Sequence, residues 1–584
     1  MKKIVILLIA MFFSVNLVIN SQTIIKNNDI PIPTNIPHEK IFIHHNTSFL
    51  LTGEYLYYKV YCLNVETGTL SNISKIAYVE LVGIDKSSFF KHKIRLESGL
   101  GQGDFFIPAS LPSGNYKLIA YTQWMRNGGK NRFFQDDISI VNPFQENQKA
   151  ILEVNELTDT LQVISDKADV DNAIFSSDFV NLKLDTNSFT NREKVSLTVN
   201  SLKDERSFGN FSISVRKIDP IKIPTRLTTN TYMSLYAKKL EPLKNNGTFY
   251  LPELRGEILS GKVLFRDTES PASKIRVALS IPGKEYLSKM ASTNDSGIFF
   301  FNLDKEYIND NATIQVVNNK RENFKISMNH HESIDYGNLV FNDFKITPKM
   351  KDFILQQSIN NQIENAYFSV KPHSIDTTQP LIPFYKARAK EYLLDDYTRF
   401  PSIKETVVEV IENVSIRQKK GTSVFHVKGY VPRNESEPLV LIDGNIIQNH
   451  DDVIAYNARK VKKIGFVRDN YLYGSQLFEG IVYLETFEGA YKNNISNDHI
   501  KNIKLFKPSI TKKYFNQIYD ADNRLDRIPD YRSQLLWEPN LNLNKKTQIL
   551  SFFTSDNDGD YEICIEGFTK EGKPISLKEI IHVK

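Results

Sequence analysis

The chain has 584 residues, which at ~100–200 residues per domain predicts several domains. Hydrophobic residues make up 41% and charged residues 24%, a balance that excludes wholesale disorder. Lys plus Arg number 73 and Asp plus Glu 68, so the chain is too close to neutral to suggest nucleic-acid binding. The 37 Phe and 27 Tyr against 2 Trp favour strands.

The first 21 residues have the layout of a secretory signal peptide. Lys2 and Lys3 give a positive start, Ile4 to Phe13 an apolar run, and Ser21 a small exit residue before Gln22. Asn16 and Asn20 break the run before it reaches the ~20 residues of a spanning helix. The expectation is an exported protein in the periplasm, at the outer membrane or on the cell surface, associated with the membrane through partners. Cys62 and Cys564 lie in apolar, strand-like stretches and read as two separately buried thiols, although export permits a bridge.

Residues 37–143 predict a β-sandwich. Its clearest strands are Glu54 to Val65, Ser74 to Ile84, Lys91 to Leu96 and Asn115 to Thr122, with turns such as Pro112-Ser113-Gly114 between them. A second sandwich is expected over 150–235, from Val180 to Leu184, Lys194 to Val199 and Asn210 to Lys217, with a helix over Thr229 to Leu243. A third covers 256–345, with Ile275 to Ile281 and Ile298 to Asn302 as strands and a tight turn at Gly297. Residues 346–401 read as a helical connector, with helices over Met350 to Phe368 and Lys386 to Leu394. Residues 402–500 read as a compact α+β unit. Its strands are Val407 to Val410, Val424 to Val427, Leu439 to Ile442, Val461 to Arg468 and Gly480 to Thr486. A short helix covers Asp451 to Ala458, and Asp443-Gly444 is a turn. A last β unit is expected over 525–584. The fold class is mainly β and multidomain: tandem sandwiches plus one small α+β domain.

Several of these stretches resemble domains of Bacteroidota envelope proteins. Pro37 to Phe42, Gly53-Glu54 with Tyr58-Lys59, Gly99 to Phe105, Leu111 to Tyr116 and Ala120 to Asn127 resemble a macroglobulin-like domain. Arg192 to Val195 with Ser212 to Asp219 resembles the sandwich that usually follows it. The 256–345 unit, with Pro271 and Asp295-Ser296-Gly297, is similar to a carboxypeptidase-regulatory-like domain. Pro438 to Gly444, Val461 to Ile464, Tyr473-Gly474 and Gly480 to Thr486 resemble the plug domain of TonB-dependent receptors. Too few residues follow this segment for a large barrel of ~22 strands at ~10 residues each. A plug without its barrel is not a transporter by itself. The resemblance implies a non-catalytic scaffold or binding subunit working through outer-membrane or envelope proteins, with the plug-like sheet edges accepting partner strands. A surface adhesin or secreted cargo is the alternative, and a hydrolase the third.

No catalytic, cofactor-binding or metal-ligating set is expected. His38, His44 and His45 are close in sequence, but alternation divides His44 from His45, and polar exposure at strand ends is the expectation. Asp556, Asp558 and Asp560 begin like a calcium loop, yet Tyr561 and Gly567 depart from its pattern, which leaves a hairpin turn. Asp443 reads as a turn residue. Lys419-Lys420 and Arg459, Lys460, Lys462 and Lys463 read as solvated basic faces. Neither cysteine stands in the Cys-Gly-Glu-Gln run of a reactive thioester, and no nucleophile elbow or phosphate-binding loop is present.

Overall fold

A computed structural model describes residues 36–152, 177–235, 250–329, 334–375, 381–419, 421–430, 436–489, 491, 496–520 and 527–584. The signal peptide expected over residues 1–21 lies outside the described residues, as does Lys420. Strand makes up 46% of the described residues and helix 13%, so the protein is mainly β and multidomain.

The first sandwich holds β1 (Glu39–His45), β2 (Phe49–Leu51), β3 (Tyr55–Asn64), β4 (Ile76–Gly83), β5 (Ser88–Arg95), β6 (Leu100–Phe106), β7 (Gly114–Tyr121) and β8 (Phe134–Val141). Its sheets run β1-β3-β6 and β2-β8-β7-β4-β5. Then come β9 (Val180–Leu184), β10 (Ser188–Phe189), β11 (Lys194–Ser201), β12 (Gly209–Lys217) and helix α1 (Thr229–Leu235). The third sandwich begins with β13 (Glu257–Phe265), β14 (Arg276–Ile281), β15 (Leu287–Ser292), β16 (Ile298–Leu303), β17 (Asn311–Val316) and β18 (Phe324–Met328). Helix α2 (Lys351–Ala366) and the short β19 (Ser374–Ile375) follow.

The α+β unit contains β20 (Lys390–Leu393), helix α3 (Ile403–Glu409), β21 (Val414–Lys419), β22 (Thr422–Val427), β23 (Leu439–Ile442), β24 (Asn445–Ile447), helix α4 (Asp451–Ile454), β25 (Val461–Tyr473) and β26 (Gln476–Thr486). The chain closes with β27 (Ile500–Lys504), β28 (Lys512–Lys513), β29 (Gln534–Leu543), β30 (Thr547–Phe553), β31 (Gly559–Thr569) and β32 (Pro574–Val583).

The pairings overturn two expected domains. The stretches 150–235 and 525–584 are not separate units, because their strands interleave. One sheet of the second sandwich runs β10-β32-β31-β12-β29 and the other β30-β11-β9. Ile213 pairs with Ile565 on one side and Glu538 on the other, and Leu197 pairs with Leu550. One core joins Val195, Leu197, Phe211 and Ile213 to Leu541, Phe552, Ile563 and Ile575. The third sandwich is split in the same way: β27 adds to β17 after the whole α+β unit has intervened. The α+β unit is thus inserted in the third sandwich, and the third sandwich in the second. The expected end of the third unit at 345 also moves, since Tyr336, Phe344 and Ile346 pack with residues of the first sandwich.

Three local expectations change as well. Val407 to Val410 is not a strand: the sequence Ser402-Ile403-Lys404-Glu405 caps α3, with Ser402 Oγ accepting the Glu405 N–H. That capping pattern outweighs the β-branched run. Lys386 to Leu394 is not a helix but a single 3-10 turn followed by β20, which pairs with β25 and belongs to the α+β sheet. Helix α1 covers Thr229–Leu235 only, and the rest of the expected helix lies outside the described residues.

The first and second sandwiches meet sheet on sheet. Alternation along β3 sends Leu56, Tyr58, Val60 and Cys62 inward and Tyr57, Lys59 and Tyr61 toward the second sandwich. Tyr61 donates to Ser212 Oγ or accepts from it at 3.0 Å and donates to the Glu566 carbonyl. Phe42 and Tyr61 pack on Phe568, and Trp537 lies against His44 and Tyr57. Arg216 Nη2 is 2.9 Å from Glu54 Oε1 in a buried ion pair. Helix α2 reinforces this joint with its polar face: Gln357 donates to Glu54 and to Ser533, while Leu355 and Ile359 are exposed. The first and third sandwiches are joined by buried Lys93 and Glu257 at 2.6 Å, with Tyr307 donating to the same carboxylate.

Because both halves of the second sandwich share one core, Ile213→Ala and Ile565→Ala should each cost about 2–5 kcal/mol, as large-to-small core changes do. Both should shift the same cooperative transition in denaturant, followed by circular dichroism. Two transitions that respond separately to the two variants would mean two independent units.

Candidate docking surface

The α+β unit is built on the sheet β20-β25-β26-β23-β24. One face carries α3, α4 and the β21–β22 hairpin over Val440, Ile442, Ile464, Phe466 and Val482. The other face packs on the third sandwich through Tyr286, Ala278 and Val317 against Leu441, Val467 and Tyr483. Both faces are therefore covered, which explains the near-continuous apolar runs LVLI and GIVYLET.

Asp443 and Gly444 form the two-residue loop between β23 and β24, with φ of 47° and 84°. Two positive φ values in succession are the type I′ hairpin geometry, which suits Asp-Gly. The Tyr286 ring lies so close to Gly444 that an added Cβ would sit 2.3 Å from its Cγ. The buried Asp443 carboxylate accepts from Thr486 N, Thr486 Oγ1 and Tyr491 N at 2.7, 2.6 and 3.0 Å. These bonds tie the turn to the end of β26 and to Tyr491 beyond it, which is a structural role.

The edges differ. β24 is covered, because Ile446 N donates to Ser280 Oγ and Gln315 Nε2 donates to the Ile446 carbonyl. β20 is a four-residue edge carrying exposed Lys390, a short charged edge of the kind that resists pairing. The hairpin β21–β22 has two edges of its own. Lys428 N donates to Asn413 O, and the antiparallel ladder then bonds Ser415 to His426 and Arg417 to Val424. Ser423 and Phe425 must point outward on β22, where Asp451 Oδ1 and His450 Nδ1 accept their N–H groups. Ile416 and Gln418 point outward on β21. Among the described residues their main-chain groups have no partner, and exposed Arg417 stands between them. The β21 edge is the bare one.

The other sequence candidates fall into structural places. The expectation that His44 and His45 are exposed strand ends is wrong, because β1 is covered on both faces. His44 Nδ1 is 2.7 Å from Ser212 Oγ, and His45 Nε2 is 2.9 Å from Asp136. His38 sits apart, beside Arg132 at 3.2 Å. Asp556 pairs with Arg192 and Asp560 with His582, so the acidic loop does not converge. Among the described residues no cluster suited to a metal is present. Cys62 and Cys564 are separate buried thiols. Lys419 pairs with Glu437, and Lys463 is buried between Glu391 and Glu485, whereas Arg459, Lys460 and Lys462 are exposed.

Sequence reading missed a charged network at the second sandwich's open end. Arg532 is bidentate to Asp530, and Lys371 bridges Asp530 and Glu364. Burial opposes the charge on Asp530, yet Arg532 and Lys371 hold its carboxyl down at about 2. Beside it lies a cavity of about 370 Å³ lined by Arg192, Val370, Phe515, Tyr519 and Ile528. Its cations are already paired. The only sequence signal was the Asp-Tyr-Arg run at 530–532, and its partner Lys371 is far away along the chain.

No protein-family profile matches the chain, and no curated protein matches it. Among solved structures it is similar to a Salmonella alpha-2-macroglobulin mutant (9% identity over 97% of this chain and 41% of that one, TM-score 0.24). It is also similar to trypsin-activated alpha-2-macroglobulin from Escherichia coli (9% identity, 93% and 41% covered, TM-score 0.23). Latent PorU from Porphyromonas gingivalis overlaps half of it (12% identity, 50% and 33% covered, TM-score 0.15). The chain spans about two-fifths of the length of the macroglobulins it matches.

Burial holds the His44 imidazole well below its ordinary value of 6.5, and Arg226, His45 and Lys578 add repulsion. In the folded protein His44 stays neutral while the unfolded chain takes up a proton below pH 6.5. Stability is unaffected above that pH and falls below it, with a slope approaching about 1.4 kcal/mol per pH unit from this residue. His44→Gln should flatten this acid-side slope, measured as denaturant midpoints between pH about 7.5 and about 5. An unchanged slope would assign the acid sensitivity elsewhere.

Proposed function

We propose that the protein is a non-catalytic scaffold of the cell envelope that binds an outer-membrane or envelope protein through its α+β unit. The observation that carries the reading is the bare edge of β21. It offers unpaired main-chain donors and acceptors, whereas β24 is covered, β22 is capped and β20 is short and charged. Such an edge binds an extended segment by strand addition, with main-chain hydrogen bonds supplying affinity and flanking side chains supplying selection. The hairpin stands on a sheet locked to the third sandwich, so the edge is presented on a rigid support. Two further exposed apolar residues, Leu472 and Leu477, face each other across the tip of β25–β26 and enlarge the apolar surface of the same unit. The Bacteroidota plug-like and carboxypeptidase-regulatory-like resemblances, the signal peptide and the envelope location belong to this proposal.

The test is affinity purification of the tagged chain from gently solubilised envelopes, read by mass spectrometry. Ile416→Pro removes an outward N–H from the β21 edge without breaking a hairpin bond, a position at which proline is tolerated. The variant should lose its co-purifying envelope protein by about tenfold or more, equivalent to roughly 1.4 kcal/mol, while its thermal midpoint stays close to the parent's. If the same proteins co-purify undiminished, or none does with either chain, the docking reading fails.

A further inference from the structure

We propose that Lys59 and Asn540 join in an intramolecular amide bond that cross-links the first sandwich to the second. The two residues lie 481 positions apart, and Lys59 Nζ is 2.5 Å from Asn540 Oδ1. The amine therefore already sits beside the amide carbon it would attack, where held reactants gain most from proximity.

The electrophile is fixed in place. Asn540 N donates to Glu538 Oε1 at 2.8 Å, and Asn540 Nδ2 donates to Gln102 Oε1 at 2.5 Å. Gln102 is itself anchored by the Lys512 carbonyl at 2.6 Å. The nucleophile is fixed as well: the Lys59 side chain is buried, 1% exposed, in the joint beside Tyr61. Burial pulls its ammonium down to about 7, against the attraction of Glu538 and Glu97. About half of the amines are then neutral near pH 7, the state a lysine nucleophile needs.

The step balances without a co-reactant or change of oxidation state. The Nζ lone pair forms a bond to Asn540 Cγ, and the Cγ–Nδ2 bond breaks. The proton lost from Nζ is carried by solvent, which reaches the exposed Asn540, to the departing nitrogen, which leaves as ammonia. Asn540 is exposed on its outer side, so ammonia has a path to solvent. A second Lys–Asn contact, Lys217 Nζ on Asn557 Oδ1, serves as the internal comparison. There the lysine is only half-buried and Asp558 and Asp219 oppose the fall in its pKa.

The experiment is peptide mapping of the purified full-length chain by mass spectrometry after incubation at pH about 8, above the Lys59 transition. The expected product is a branched peptide joining Lys59 to Asn540, lighter by one ammonia than the two linear peptides together. On a denaturing gel the closed chain should run faster than Lys59→Arg or Asn540→Ala, neither of which can form the branch. Asn540→Asp should form the same branch with loss of one water. Linear Lys59 and Asn540 peptides alone in the unmutated chain, or a branch found only at Lys217 and Asn557, would overturn the assignment. The unmutated chain decides the question even if a variant fails to fold.

Discussion

Everything in the molecule hangs on two sheet faces that meet through side chains with polar ends. β1 and β3 belong to the first sandwich, yet most of their outer faces is buried as well, because β12, β29 and β31 lie against them. An apolar pairing would hold two domains together in many registers. Here Tyr61, His44, Arg216 and Glu54 each need one particular partner across the gap, and leaving such a group buried and unpaired costs about 1–3 kcal/mol. The joint is therefore specific before it is strong. Helix α2 extends the same logic by burying glutamine and asparagine side chains against the seam while Leu355 and Ile359 face solvent.

From that joint outward, each unit constrains the next. The third sandwich is tied to the first by a buried lysine–glutamate pair, and the α+β unit is tied to the third by a shared apolar face and by the hydrogen bonds of Gln315 and Ser280 to Ile446 of β24. An edge strand is a liability unless it is covered, shortened or used. In this unit β24 is covered, β20 is short and charged, and β22 is capped by a histidine and an aspartate. β21 has none of these protections, and that contrast within one small unit is why the edge draws attention.

Much of the local structure is legible in the sequence. Leu439 to Ile442 and the Asp443-Gly444 turn stand where the run of apolar residues and the turn dipeptide put them, because both signals are local. The errors share a physical cause. Val407 to Val410 looks like a strand by β-branching, and only the capping serine and glutamate at 402 and 405 reveal the helix. His44 and His45 look like exposed strand ends, since nothing near them announces a second sheet packing on β1. The second sandwich looks like two domains because each half alternates correctly, and alternation is silent about which strand, hundreds of residues away, completes the sheet. The unpartnered edge of β21 was anticipated only as a general property of the unit. Choosing it over β20 and β24 required knowing what covers each.

The nesting of the sandwiches also bears on how the chain is made. Strands β9 to β12 emerge from synthesis with their apolar faces ready, but β29 to β32 are made only after the whole of the third sandwich and the α+β unit. At about 5–20 residues per second, a half-sandwich waits through most of that interval with open edges, the condition in which β-rich chains mispair. The inner units can close first, and in closing they bring Lys217 and Gln534 from opposite ends of the insertion to the same sheet. The innermost domain is then more than a presented surface: its folding shortens the loop that the outer sandwich must close, and order of assembly is written into the order of insertion.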